Sequence, residues 1–205
     1  MRLLRYLFAL ALLLTTAGMA QEKPYIPDYF PAPLGAEWHY KLTTNMGQNM
    51  DIKTVVAERT DASKVGYNIV QKSYVPQESI NYYLKKPGWV MTLKTEMPAS
   101  NYSADYVEDK PDLMNPLKTG ATWDYKGKMG GQDWVQSWKV VGPEKVTVPA
   151  GTFEAMKVES TSEVSASKTD YTFWYVDRVG TVRVTTKVSG MTTDMQLVKY
   201  VFPKN

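Results

Sequence analysis

His39 is the one histidine of a chain that has no cysteine, and this bounds the chemistry available to it. A histidine base needs a nucleophile and an orienting acid to make an acyl-transfer site. Serines and aspartates are present, but no nucleophile-elbow phrase accompanies them. Thiol chemistry is excluded by composition. Zinc leans on cysteine and histidine, which this chain cannot supply. Asp105, Glu108, Asp109 and Asp112 could offer calcium their carboxylates, yet the glycine-containing spacing of a calcium loop is missing, and they read as a solvated acidic loop. Met46 and Met50, and Met191 and Met195, repeat at four-residue spacing. Thioethers bind copper(I), but methionine also fills apolar gaps. No catalytic residue, metal site or cofactor is assigned.

Aromatic side chains are the remaining candidates. The chain carries 14 Tyr and 6 Trp, far more than surface decoration requires. Trp38, Tyr40, Trp89, Trp123, Trp138 and Tyr175 fall at positions that strand alternation turns to one face, and they form the expected wall of an apolar ligand cavity. His39 and Lys41 take the opposite face from Trp38 and Tyr40, so the histidine is expected on the outside.

That alternation sets the elements. Trp38, Tyr40 and Leu42 interleave with His39, Lys41 and Thr43; Trp123 and Tyr125 interleave with Asp124 and Lys126. A period of two with one wet face is antiparallel sheet. Turn signals such as Asn45-Met46-Gly47, Pro87-Gly88, Gly130-Gly131 and Pro149-Ala150-Gly151 separate the runs. The expectation is an all-β antiparallel meander of about 10–12 strands, closed or open as a barrel or packed as two half-sheets. Strands are expected at 132–142 and, separately, at 144–148.

The chain repeats itself. Gly35-Ala36-Glu37-Trp38-His39-Tyr40-Lys41 returns as Gly120-Ala121-Thr122-Trp123-Asp124-Tyr125-Lys126. Tyr83, Gly88 and Val90 return as Tyr175, Gly180 and Val182. Repeats constrain architecture before other signals do. They imply one domain, 21–205, made of related halves at about 34–96 and 117–202. The proline- and acid-bearing stretch 97–116 reads as an irregular loop joining them. Gln21 to Leu34 holds four prolines and is expected to run extended along the surface.

Residues 1–20 read as a signal peptide. Arg2 and Arg5 precede the apolar run Leu7–Leu14, and Gly18-Met19-Ala20 offers a cleavage site. The destination is periplasmic or secreted, with no stable membrane insertion after cleavage. Formal charge is +3, and two of the basic residues lie in the leader. A near-neutral remainder gives no case for binding nucleic acid.

Several phrases together resemble a family of exported bacterial proteins known as a domain of unknown function. They are Tyr29-Phe30-Pro31 with Gly35, Trp38 and Tyr40; Pro116-Leu117 with Gly120, Trp123 and Tyr125; Val146-Thr147-Val148-Pro149-Ala150-Gly151-Thr152-Phe153; and Trp174-Tyr175 with Gly180 and Val182. The resemblance implies an all-β fold, distantly similar to periplasmic lipoprotein carriers that hold acyl chains in an apolar hollow. It transfers no catalytic residue.

The resulting expectation is a non-enzymatic exported β-protein that binds an apolar ligand such as a lipid, or a partner, at the cell envelope. A structural component contacting another envelope protein through 97–119 or the proline-rich N-terminus is the alternative. A hydrolase with an unrecognised site is the second alternative.

Overall fold

The computed structural model describes residues 24–61, 66–75, 77–129, 131–165 and 167–204. The leader expected at 1–20 lies outside the described residues. The strands are β1 (Glu37–Thr44), β2 (Asn49–Asp61), β3 (Tyr67–Val75), β4 (Gln77–Lys86), β5 (Gly88–Met97), β6 (Tyr102–Asn115), β7 (Thr122–Met129), β8 (Gln132–Val148), β9 (Gly151–Val164), β10 (Ser167–Val176), β11 (Gly180–Val188) and β12 (Met191–Val201). Each pairs antiparallel with the next, and β12 returns to β1, so the sheet closes into an up-and-down barrel. Among the described residues the only helical piece is one 3-10 turn, Pro98–Ser100.

The doubled phrase is a doubled piece of structure. Gly35 and Gly120 both have positive φ, at 79° and 80°, which glycine adopts without a Cβ penalty. The Gly35 amide donates to the Val56 carbonyl, and the Gly120 amide donates to the Val140 carbonyl, each at 2.9 Å. Val56 and Val140 return the bond to Ala36 and Ala121, again at 2.9 Å. A bulge follows each valine, at Val56/Glu58 and at Val140/Gly142. The second echo matches as well. Gly88 and Gly180 open β5 and β11, and bulges fall beside Tyr83 and Tyr175. The same local geometry thus recurs at the entries to β1 and β7 and at the openings of β5 and β11.

The segment 97–116 is not an irregular loop. It contains β6, a fourteen-residue strand paired to β5. Pro111 is tolerated there because of which neighbour it faces. A strand residue points its N–H and C=O to the same side, and the Pro111 carbonyl accepts the Trp123 indole N–H of β7 at 3.0 Å. The missing N–H therefore falls on the β6–β7 join, where the described register is the single pair Tyr106–Met129. The runs expected at 132–142 and 144–148 are likewise one strand. The bulge at Gly142, with φ of 136°, carries β8 past Pro143 without ending it.

The proline-rich N-terminal segment does not run along the outer surface. It crosses one end of the barrel as a strap, with Phe30 against Tyr83 and Ala32 buried in the core. Asp28 clasps it in place. Its carboxylate accepts from Lys85 Nζ at 2.6 and 2.8 Å and from Asn115 Nδ2 at 2.8 Å. Its backbone N–H donates to Asp177 at 2.7 Å, and its carbonyl accepts from the Arg178 amide at 2.8 Å. Burial alone would raise this carboxyl, but the Lys85 ammonium with Asn115 and the Phe30 amide outweighs it and holds the group below the ordinary aspartate value. Beside the strap, the tip of the β8–β9 hairpin buries Val146 and Val148 with Trp38, Trp174 and Leu197. Its turn is fixed by the Ala150 amide donating to the Leu197 carbonyl.

Candidate functional site

Inside the barrel, beyond the strap, lies a cavity of about 490 Å³. Its floor is Phe30 and Pro31 of the strap with Trp38 of β1 and Gly180 of β11. The strands place their inward rows around it by simple alternation. Tyr40 enters from β1, Ile52 and Thr54 from β2, and Val184 and Met195 from β11 and β12.

Of the six residues expected on the wall, Trp38, Tyr40, Trp138 and Tyr175 line the cavity. Trp123 and Trp89 stand behind it. Trp123 is the register partner of Trp138 and stacks on it, centroids 5.6 Å apart and planes 12° from parallel. Trp89 meets Trp123 edge-on at 6.0 Å. The equivalent tryptophans of the repeat thus differ in duty. Trp38 reaches the cavity and donates its indole N–H to the Val179 carbonyl at 2.7 Å, whereas Trp123 supports a neighbour and spans a seam.

One side of the wall is a ladder of rings on β10. Tyr171, Phe173 and Tyr175 sit two residues apart, with neighbouring centroids 5.7 Å apart and planes within 20° of parallel. Trp174, between them, takes the outer face, where Lys157 and Arg183 cover its ring and Glu144 accepts its N–H.

The interior is not wholly apolar. Lys110 and Asp112, two residues apart on β6, both line the cavity and pair with each other. Asp112 was expected in a solvated loop; β6 turns it inward, where Thr92 also donates to it. The Lys110 ammonium lies 5.2 Å from the Trp138 ring centroid, 5.4 Å from Trp134 and 5.9 Å from Tyr106, an aromatic surround that favours a cation. Gln136 of β8 is buried beside them and donates to Ser160 at 2.9 Å. Its Oε1 and the Trp134 Nε1 have no hydrogen-bond partner among the described residues.

Burial pushes the tyrosine hydroxyls of the interior upward. Tyr40 rises from burial alone. Tyr83 and Tyr175 rise well above the ordinary value through burial and then through the Asp112 charge. Tyr106 is pushed up to about 12 by burial.

His39 sits on the outer face, half-buried, with its Nε2 3.3 Å from Glu37 Oε2; Lys53 meets the other Glu37 oxygen at 2.7 Å. Among the described residues no three histidine, cysteine, aspartate or glutamate side chains converge on a point that could hold a metal ion. No helix of the described residues is long and apolar enough to cross a membrane.

The composition of the first wall was visible in the tryptophan and tyrosine positions. Lys110, Asp112, Trp134, Gln136, Tyr171 and Phe173 were not placed there by sequence reasoning. A signal existed for the aromatic rows, since Trp134-Gln136-Trp138 and Tyr171-Phe173-Tyr175 keep the period of two.

A family model described as DUF3108-like matches residues 96–187, a stretch from the end of β5 into β11 that holds Lys110, Asp112, Trp138 and Tyr175. Among solved structures, the chain is similar to a candidate lipoprotein from Parabacteroides distasonis ATCC 8503, at 15% identity and a TM-score of 0.56 over 87% of this chain and 100% of that one. It is similar to a candidate exported protein with a YmcC-like fold from Bacteroides fragilis NCTC 9343, at 16% identity and a TM-score of 0.56 over 86% of this chain and 100% of that one. At these identities the likeness is one of fold. No curated protein matches the chain.

Proposed function

We propose that this is an exported, non-enzymatic barrel protein that binds an apolar or amphipathic small molecule inside its barrel, with Trp38, Tyr40, Trp138 and Tyr175 on the binding wall and Trp89 and Trp123 backing it. The cavity carries the reading: about 490 Å³, floored by the strap and lined mainly by aromatic and aliphatic side chains. Ligand sites in proteins have this size and this balance. The leader pattern at 1–20 and the fold shared with proteins described as exported or as lipoproteins support a place outside the cytoplasm. A carrier of acyl chains is one form the role would take.

The segments offered for contact with an envelope protein are both engaged within the barrel, one as β6 and the other as the strap. The cavity reading is therefore preferred over an assembly role. A hydrolase built on His39 has little support, because His39 faces outward against Glu37.

The test is native mass spectrometry of the chain from residue 21 onward, freshly purified from its exporting host, with uptake of Nile red by the delipidated protein. A bound small molecule and saturable dye uptake are expected. Val184→Trp, which fills the cavity from β11, should abolish uptake while the protein stays folded. No bound molecule together with no dye uptake by the folded wild type would overturn the proposal.

A further inference from the structure

The cavity's charges say which amphiphile it takes. Among its lining residues the charged side chains are Lys110 and Asp112, and they neutralise each other. Both ions have their attention spent. Asp112 receives Lys110 on one oxygen and Thr92 on the other, while the Lys110 ammonium is ringed by Tyr106, Trp134 and Trp138. The Lys110 side chain is only 7% exposed. An incoming carboxylate would have to draw Lys110 from Asp112, and an incoming ammonium would have to draw Asp112 from Lys110. The first exchange leaves Asp112, 30% exposed, without its cation, and the second strands the buried Lys110, the costlier way to break such a pair. A hydroxyl, ester or amide head asks for no exchange. It can share the polar surroundings of the pair, to which Gln136 and Ser160 belong.

The barrel order supplies the other half. β6 and β8, which carry Lys110, Asp112 and Gln136, lie across the ring from β12, β1 and β2. Those strands bring Met195, Tyr40 and Ile52 to the cavity, with Thr54 beside them, while Gln71 and Ser73 of β3 and Asn81 of β4 line the arc between the two sides. The charged pair therefore faces a mainly apolar wall across the cavity.

Resting on the cavity-binding reading above, we infer that the ligand is an uncharged amphiphile, its oxygen-bearing head beside Lys110 and Gln136 and its hydrocarbon toward Ile52 and Met195.

The experiment is displacement of Nile red from the delipidated protein by monoolein, oleate and oleylamine at pH 8.5, each below its aggregation concentration. Monoolein should bind at least about tenfold more tightly than either charged probe. The paired replacement Lys110→Met with Asp112→Leu removes both charges and keeps the side chains' length and branching, a change that buried ion pairs commonly survive. It should weaken monoolein about tenfold and leave Nile red affinity unchanged. Oleate or oleylamine binding as tightly as monoolein, or a double variant that holds monoolein as well as wild type, would overturn the head-group assignment and leave cavity binding standing. Failure of the folded wild type to bind Nile red or any of the three would overturn the cavity reading and this inference with it.

Discussion

The Trp123 indole nitrogen donates to the Pro111 carbonyl at 3.0 Å, and this bond spans the β6–β7 join, where the described backbone register is a single pair. At the matching join, β1 and β12 run in register from Glu37–Val201 to Thr44–Thr193, with one bulge. The β12–β1 join is thus a backbone ladder, whereas the β6–β7 join is spanned by a side chain.

Trp123→Phe keeps a ring on Trp138 and deletes the donor. A lost hydrogen bond to a part-buried carbonyl and some lost packing should cost about 1–3 kcal/mol. Amide exchange should quicken selectively in β6 and β7, with β1 and β12 unchanged. Trp38→Phe, which loses its own bond to Val179, should cost a similar amount without that local signature. Uniform exchange across the barrel in Trp123→Phe would show that the seam does not depend on this bond.

The strap clasp predicts acid sensitivity. The folded-state Asp28 carboxyl is depressed, so its contribution is fully present above the unfolded value near 3.8 and is lost as pH falls through the lower folded value. Urea unfolding of wild type and Asp28→Asn should differ most above about pH 5 and converge below pH 3.8. Protease cleavage between Tyr25 and Leu34 should also quicken in the variant. Curves separated by the same amount at all pH values would count against the assignment.

The paired glycines make a symmetric prediction. Gly35 and Gly120 hold φ of 79° and 80° and the same amide bonds. An added Cβ meets nothing within 4 Å at Gly120 and only Pro203 at 3.4 Å at Gly35, so the cost is backbone strain rather than collision. Each alanine replacement should destabilise by about 1–2 kcal/mol, read by chemical denaturation. Two very different values would mean that the halves are not equivalent where the repeat begins.

Much of this fold was legible because a wet outer face forces polar residues to alternate with apolar ones, as in Trp38-His39-Tyr40-Lys41. The β6 strand was hidden because Pro111 and its acidic neighbours look like loop, and only the ring places the missing N–H at a join that needs no donor. The strap was hidden for a related reason. Its order comes from Lys85, Asn115 and Asp177, residues distant in sequence that share one barrel end. Of the site, the bulky apolar wall could be read from residue type. The charged pair could not, because a lysine two residues from an aspartate looks the same inside a barrel as outside it.

The interior tyrosines predict alkaline sensitivity. Burial raises the hydroxyls of Tyr40, Tyr83 and Tyr175, and Tyr106 to about 12, while the unfolded chain exposes them at about the ordinary value of 10. Above that value the unfolded state releases protons that the barrel retains, so stability is full below about pH 10 and falls as pH rises further. Replacing Tyr83 by Phe removes one such group without removing its ring from the strap's Phe30. Unfolding free energy measured from pH 9 to 11.5 should decline less steeply in Tyr83→Phe than in wild type, with absorbance at 295 nm showing tyrosines that ionise only on unfolding. Parallel declines would mean that the Tyr83 hydroxyl titrates alike in both states, and that the space beside Asp112 is wetter than its lining residues imply.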